Sequence, residues 1–260
     1  MVIRRAALLA LASSVTPAMQ SRAAELTTRS GSAPPSPLRM VMTEFPPYTS
    51  SSLADGGLAT WITRTALARE GWEINLAVLP WARALNEARQ GKCDGVIGLW
   101  RSPEREEFLS FTQPLGVTNR IGFMARAGTA IDVSELGRMR GLTIGVVRDY
   151  SNPPAIQKAR LKLDPAMDDL HNLRKLLAGR IDLALIDKGV AFYLLQTQLL
   201  SGVSALAWLE PAVSESPLHS AFVGRSPQAQ AGLAALNAGL TRIRNSGELA
   251  QMLQPFARWL

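Results

Sequence analysis

The order of predicted elements limits what this chain can fold into. From residue 38 onward, short apolar segments alternate with amphipathic segments, such as the helical face of Leu58, Ile62 and Ala66. Strands separated by helices pair in parallel through right-handed crossovers, which predicts an α/β protein. The predicted strands are 38–42, 72–78, 95–99, 120–126, 142–147, 181–186, 205–209 and 220–223, and the predicted helices include 172–178, 189–199 and two at the C-terminus.

One unit of this pattern occurs twice. A helix is followed by Gly-Lys-Cys-Asp at 91–94 and by Gly-Arg-Ile-Asp at 179–182, each before an apolar strand. Each glycine fits the position after a helix end, where positive φ is needed, and we interpret Asp94 and Asp182 as structural. Any α/β protein can repeat helix, glycine and strand, but a true repeat would mean two similar lobes. Ligands would then bind beyond the strand ends, near 99–105 and Asp187.

Composition excludes several classes of protein. The 260 residues suffice for one large domain or two small ones, and 47% apolar content is typical of a folded chain. The formal charge is +7, but the basic residues are scattered, which argues against nucleic-acid binding. One cysteine, Cys93, excludes an internal disulfide, and two histidines make a metal site improbable. We expect no cofactor.

The N-terminus has the features of an export signal. Residues 1–24 combine a positive start, a short apolar stretch and small residues where a peptidase could cut, which predicts a signal peptide and a periplasmic protein. Residues 25–37 resemble a flexible leader rich in Ser, Thr and Pro. Cleavage would remove Arg4, Arg5 and Arg22 and no acid, which lowers the charge from +7 to +4.

Residues 38–260 contain an ordered set of motifs at regular spacing. They are Glu44-Phe45-Pro46-Pro47-Tyr48, Trp81 to Asp94, Ser102-Pro103-Glu104-Arg105 with Phe111 and Pro114, 141–146, and 179–182 up to Asp187. This ordered set resembles the bacterial extracellular solute-binding proteins of family 3, the periplasmic amino-acid receptors of ABC importers. The resemblance implies a two-lobed periplasmic-binding-protein fold (type II-like), with lobes joined by two crossing hinge strands. Lobe 1 would comprise 38–125 and 220–260, and lobe 2 would comprise 126–219.

Two residues are the main candidates for ligand binding. Arg105 follows Ser102-Pro103, which fit a helix N-cap and first helical position, so a cation stands where an anion is favoured. The resemblance implies that Arg105 binds an α-carboxylate, although Arg105 could instead pair with a neighbouring glutamate. It also implies that Asp187, at the end of a strand, binds an α-ammonium group, although Asp187 could simply cap the next helix.

Further candidates surround this pair. Phe45 and Tyr48 could form an aromatic wall or pack at a loop base, and Trp100 replaces a small hydroxyl residue of the family and should shrink the pocket. Asp149, where the family has glycine, could favour a cationic ligand or be solvated. The remaining candidates are Trp81 and Arg83 at a helix start facing the cleft, Tyr150 and Ser151 after strand 142–147 (Ser151 alternatively as a cap), and Glu44.

These features favour non-catalytic capture of a small polar solute, such as an amino acid, by a monomer that delivers the ligand to an inner-membrane ABC permease. One alternative is an enzyme on the same scaffold, similar to cyclohexadienyl dehydratase, with Glu44 or Asp149 as its acid or base. Another is a receptor for a sensor system. The sequence shows no membrane span after the last helix, which argues against a fused sensor.

Overall fold

The computed structural model describes residues 35–224 and 226–260, so the predicted signal peptide and most of the leader lie outside the described residues. The strands are β1 Leu38–Met42, β2 Ile74–Val78, β3 Gly95–Trp100, β4 Leu109–Phe111, β5 Thr118–Arg126, β6 Thr143–Val147, β7 Lys162–Ala166, β8 Leu183–Asp187 and β9 Leu206–Val223. The helices are α1 Leu58–Ala68, α2 Trp81–Arg89, α3 Pro103–Glu106, α4 Pro154–Ala159, α5 Asp169–Leu177, α6 Lys188–Thr197, α7 Pro227–Asn245 and α8 Glu248–Leu253.

The first lobe is built on a sheet with the strand order β2-β1-β3-β9-β4. Strand β1 pairs in parallel with β2 and β3, and β9 runs antiparallel to both β3 and β4. Four of the five residues of β1 are apolar, which suits the centre of a sheet with parallel strands, and all of its residues are buried except Arg39. Helices α1 and α7 contact each other and add Ile62, Leu236 and Leu240 to the core.

The second lobe repeats this topology in the order β7-β6-β8-β5-β9. Strand β6 pairs in parallel with β7 and β8, and β5 runs antiparallel to both β8 and β9. Strand β9 belongs to both sheets, and its antiparallel partner β5 lies beside it from Thr118 to Arg126. These long paired strands connect the lobes, while the predicted lobe boundaries at 125/126 and 219/220 stay a prediction.

Three element predictions differ from the structure. The segment predicted as two strands, 205–209 and 220–223, is a single strand of 18 residues, because pairing with β5 extends it through polar residues that interrupt the apolar pattern. Strands β4 and β7 were not predicted, since β4 has three residues and β7 is largely exposed. Helix α5 begins at Asp169 and not at 172, because Asp168 caps it by accepting a hydrogen bond from the His171 N–H.

The repeated turns have matching geometry. Gly91 and Gly179 both have φ of +67°, which favours glycine. Oδ2 of Asp94 accepts the Arg39 N–H at 2.7 Å, and Oδ2 of Asp182 accepts the Thr143 N–H at 2.8 Å. Each aspartate thus holds the central one of the three parallel strands of its sheet, β1 or β6, which agrees with a structural role.

None of the helices within 35–224 and 226–260 has both the length and the apolar character needed to cross a bilayer.

Candidate ligand site between the lobes

Arg105 is a buried cation at the meeting point of the lobes. Its side chain is 4% exposed, and Nη1 donates to the Trp100 carbonyl at 2.7 Å. Nη2 donates to the Asp149 carbonyl of the other lobe at 3.3 Å, and the guanidinium lies 4.9 Å from the centre of the Trp81 ring. Burial lowers the pKa of Arg105 to about 10, so the side chain stays charged at neutral pH.

The structure addresses two points about this cation that the sequence left open. No carboxylate among the described residues forms an ion pair with Arg105, and the nearby Glu106 pairs with Arg101 instead. Helix α3 is a single turn, and the Ser102 hydroxyl makes no capping hydrogen bond. Since so short a helix has little macrodipole, burial without a counterion is the stronger reason to expect an anion here.

Four aromatic rings surround a small cavity beside Arg105. Tyr150 makes edge-to-face contacts with Phe45, Trp81 and Trp100 at centroid distances of 6.1, 6.0 and 5.6 Å. The cavity is about 20 Å³, which is room for about one water molecule. As predicted for Trp100, a bulky indole lies in this wall, where it hydrogen-bonds Asn119 Oδ1 at 2.7 Å. The cavity residues are Thr43, Phe45, Trp81, Gly98, Leu99, Trp100, Arg105 and Tyr150.

The Asp149–Tyr150 segment reaches across from the second lobe. Asp149 has φ of +61°, which accounts for a preference for glycine at this position. Its side chain is exposed, while its carbonyl accepts hydrogen bonds from Trp81 Nε1 at 2.9 Å and from Arg105. The backbone of Asp149, and not its carboxylate, therefore contacts the candidate site.

Asp187 is a buried anion in the second lobe. It ends β8 and caps α6, with Oδ1 accepting the Val190 N–H at 2.9 Å and the Tyr48 hydroxyl at 3.0 Å. Oδ2 has no hydrogen-bond partner in the described chain, and the residue is 1% exposed. Burial raises the pKa of Asp187 to about 6. The donors from Val190 and Tyr48 oppose this shift, and so do the Asn119 side chain and the Arg120 backbone nearby. The side chain therefore caps α6 through one oxygen while its other oxygen is buried without a hydrogen-bond partner.

Tyr48 differs from its predicted role as part of an aromatic wall. Its ring lies 5.4 Å from that of Phe45, but it does not line the cavity beside Arg105. Its hydroxyl instead links the loop after β1 to Asp187 in the other lobe. Burial raises the pKa of Tyr48 well above its ordinary value, so the hydroxyl stays a hydrogen-bond donor.

Besides Asp187 and Tyr48, three further predicted residues lie outside this cavity. Arg83 is exposed and pairs with Glu87 at 3.1 Å, because a residue two positions after Trp81 projects from the opposite side of α2. Arg83 therefore does not line the cavity beside Arg105. Glu44 is exposed and accepts the Ser51 N–H at 2.8 Å. Ser151 lines a groove on the other side of Arg105 and does not cap α4, whose N-cap is Pro153.

One residue of this region, Asp169, was missed by sequence reasoning. It is 4% exposed at the start of α5, and its Oδ2 accepts the Tyr150 hydroxyl at 3.1 Å. Burial raises the pKa of Asp169 to about 7. Asn172, Leu173 and Leu176 follow at spacings of three, four and seven and are all buried, so helical periodicity could have placed Asp169 on the inner face.

The chain belongs to the bacterial extracellular solute-binding proteins, family 3, whose family model matches residues 38–258. No curated protein sequence matches it. The family membership makes this a solute-binding protein of a class that consists mostly of binding proteins and not of enzymes.

Solved structures share the two-lobed fold. A histidine kinase sensor domain similar to periplasmic binding proteins has a TM-score of 0.74 at 20% identity, covering 86% of this chain and 96% of its own. The substrate-binding protein of an amino-acid ABC transporter has a TM-score of 0.73 at 17% identity, covering 85% and 99%. An ancestral amino-acid-binding protein, a precursor of cyclohexadienyl dehydratase, has a TM-score of 0.66 at 18% identity, covering 84% and 94%.

Proposed function

We propose that this protein captures a small polar solute, an amino acid, in the periplasm and delivers it to an ABC importer of the inner membrane. The observation that carries the proposal is Arg105, a buried guanidinium at the junction of the lobes with only neutral carbonyl oxygens as partners. A buried charge without a counterion is costly, and a carboxylate ligand would supply one through charge-assisted hydrogen bonds. Asp187 offers the matching anion for the ammonium group of the same ligand.

Ligand entry requires movement of the second lobe or of its Asp149–Tyr150 segment. The cavity of about 20 Å³ beside Arg105 is far too small for an amino acid. The Asp149 carbonyl also occupies a hydrogen-bonding position of Arg105 that a ligand carboxylate would take. Since β5 and β9 form the connection between the lobes, bending of these strands would open the cleft. A ligand that binds the closed state more tightly than the open state would stabilise the closed state by the difference between the two binding free energies.

The proposal is tested by titration calorimetry with the proteinogenic L-amino acids. We expect Arg105→Gln to weaken binding of the preferred amino acid by about ten-fold or more, because the carboxylate loses a charged partner. Arg83→Gln is the matched control, since Arg83 is exposed and paired with Glu87, and its affinity should equal that of the wild type. Circular dichroism confirms that both variants are folded. Equal loss of affinity in both variants, or no binding of any amino acid by the wild type, contradicts carboxylate capture.

A second candidate function is a receptor that passes its ligand to a sensor. The match with a histidine kinase sensor domain supports it, because that domain spans nearly the same part of the fold. Permease and ATPase genes beside the gene for this protein would favour transport, and a kinase gene there would favour sensing. Turnover of prephenate or arogenate by the purified protein would instead indicate an enzyme.

A further inference from the structure

A second and larger cavity lies between the loop after β1 and the helices α5 and α6. Its volume is about 320 Å³, within the range of small-molecule sites, and it shares no lining residue with the cavity beside Arg105. The two are linked through Tyr150, whose ring borders the first cavity and whose hydroxyl binds Asp169 in the second. The lining residues are Glu44, Pro46, Ser51, Asp168, Asp169, Leu170, Val190, Leu194 and Gln198.

The charge of this second cavity is entirely negative. Its lining contains Glu44, Asp168 and Asp169 but no lysine or arginine. Two of these carboxylates have local partners, since Glu44 accepts the Ser51 N–H and Asp168 caps α5 and contacts the His171 ring at 2.7 Å. Both are also more accessible to water than Asp169. Their presence alone would not indicate a ligand.

Asp169 is different because it is buried and incompletely partnered. It is only 4% exposed, and Oδ2 accepts the Tyr150 hydroxyl while Oδ1 has no hydrogen-bond partner in the described chain. Asp168 and Asp187 are the nearby charges that act on its carboxyl group, and both raise its pKa. A buried carboxylate oxygen without a donor is costly, and a donor from a ligand would remove that cost.

We propose that the second cavity is a subsite for an ammonium or guanidinium group, held by Asp169. The inference rests on the proposed function and deepens it, because it assigns the ligand to the amino acids with a cationic side chain. The carboxylate of such a ligand would bind Arg105, and its α-ammonium group would bind Asp187. Its side chain would run past Pro46, Val190 and Leu194 to the free oxygen of Asp169. Asp169, Asp187 and Arg105 together carry a net negative charge, which is opposite to the net positive charge of such a ligand.

The test compares ligands that differ in one group. L-arginine carries both the carboxylate and the guanidinium group. L-citrulline replaces the guanidinium by a neutral isostere, and agmatine is arginine without the carboxylate. We expect the wild type to bind arginine about ten-fold or more tightly than citrulline. This comparison needs no variant, and equal affinities for arginine and citrulline would overturn the subsite.

Variants then assign the effect to a residue. We expect Asp169→Asn to weaken arginine binding but not citrulline binding. The matched control is Asp164→Asn, which changes neither, because Asp164 lies outside the cavity and pairs with Lys175 at 3.0 Å. Equal weakening of both ligands by Asp169→Asn would overturn the assignment. Agmatine separates this inference from the proposed function: agmatine binding that depends on Asp169 and not on Arg105, without any amino-acid binding, supports the cation subsite and contradicts carboxylate capture. If neither arginine nor agmatine binds, the subsite is wrong.

Discussion

Asp94 and Asp187 are both buried carboxylates at an end of the third strand of a sheet, yet their surroundings differ. Asp94, before β3 in the first lobe, accepts the Arg39 N–H at 2.7 Å and forms an ion pair with the Arg39 guanidinium at 3.0 Å. Asp187, at the end of β8 in the second lobe, has only neutral donors and one free oxygen. The fold neutralises the charge of Asp94 but leaves that of Asp187 for another group. The two carboxylates are therefore alike in burial and differ in whether a counterion is present.

The largest expected effect is on the paired carboxylate. Asp94→Asn removes an ion pair and weakens the hydrogen bond that holds β1, so we expect the free energy of unfolding to fall by about 3 kcal/mol. Urea denaturation measures this loss. Ligand affinity of the folded variant should stay that of the wild type, and a loss of affinity without a loss of stability would contradict the comparison.

The unpaired carboxylates should instead make stability depend on pH. Burial holds the pKa of Asp187 at about 6 and that of Asp169 at about 7, both above the ordinary value for aspartate. The folded protein therefore keeps protons that the unfolded chain releases between about pH 4 and pH 7, and stability falls as the pH rises through this window. We expect the free energy of unfolding from urea denaturation to decrease by an amount on the order of 2 kcal/mol between about pH 6 and pH 8.

Amide variants check this origin of the pH dependence. Asp169→Asn and Asp187→Asn cannot ionise, so each should flatten the dependence of stability on pH. Asp94→Asn serves as the control and should leave the slope unchanged. If the stability of the wild type rises with pH through this range, Asp169 and Asp187 must have partners that stabilise their ionised forms, and the contrast with Asp94 is wrong.

A smaller effect is expected at the repeated turn of the second lobe. Asp182 accepts the Thr143 N–H as Asp94 accepts that of Arg39, but its side chain is 39% exposed and Arg126 lies 3.9 Å away. We expect Asp182→Asn to lower the free energy of unfolding by about 1 kcal/mol, because an exposed ion pair contributes little. Thermal or urea denaturation of Asp182→Asn and Asp94→Asn under the same conditions measures the difference between their free energies of unfolding. An equal loss in both variants would mean that the shared backbone hydrogen bond, and not the ion pair, determines the effect.

Much of the fold could be predicted from local pattern. Strand β1 has the predicted bounds, and α2 begins directly after Pro80, because apolar periodicity and proline act through neighbouring residues. The repeated Gly-x-x-Asp turns also indicated two similar units, since positive φ and a short range between glycine and aspartate are encoded within each turn. The continuity of β9 was not predictable, because pairing with β5 across many intervening residues maintains it.

The candidate site shows the same division. The residue types at 105 and 187 already indicated a cation and an anion at strand ends, and the resemblance to a family indicated what each could bind. Only the tertiary structure decided that Arg105 lacks a counterion, that Arg83 faces solvent, and that Tyr150 separates two cavities. The physical reason is that burial and partners depend on which segments meet, whereas charge and periodicity belong to the chain itself. Asp169 illustrates both kinds of information. Its spacing from Asn172, Leu173 and Leu176 already places it on the inner face of α5, whereas the lack of a partner for its Oδ1 is decided by the folded structure.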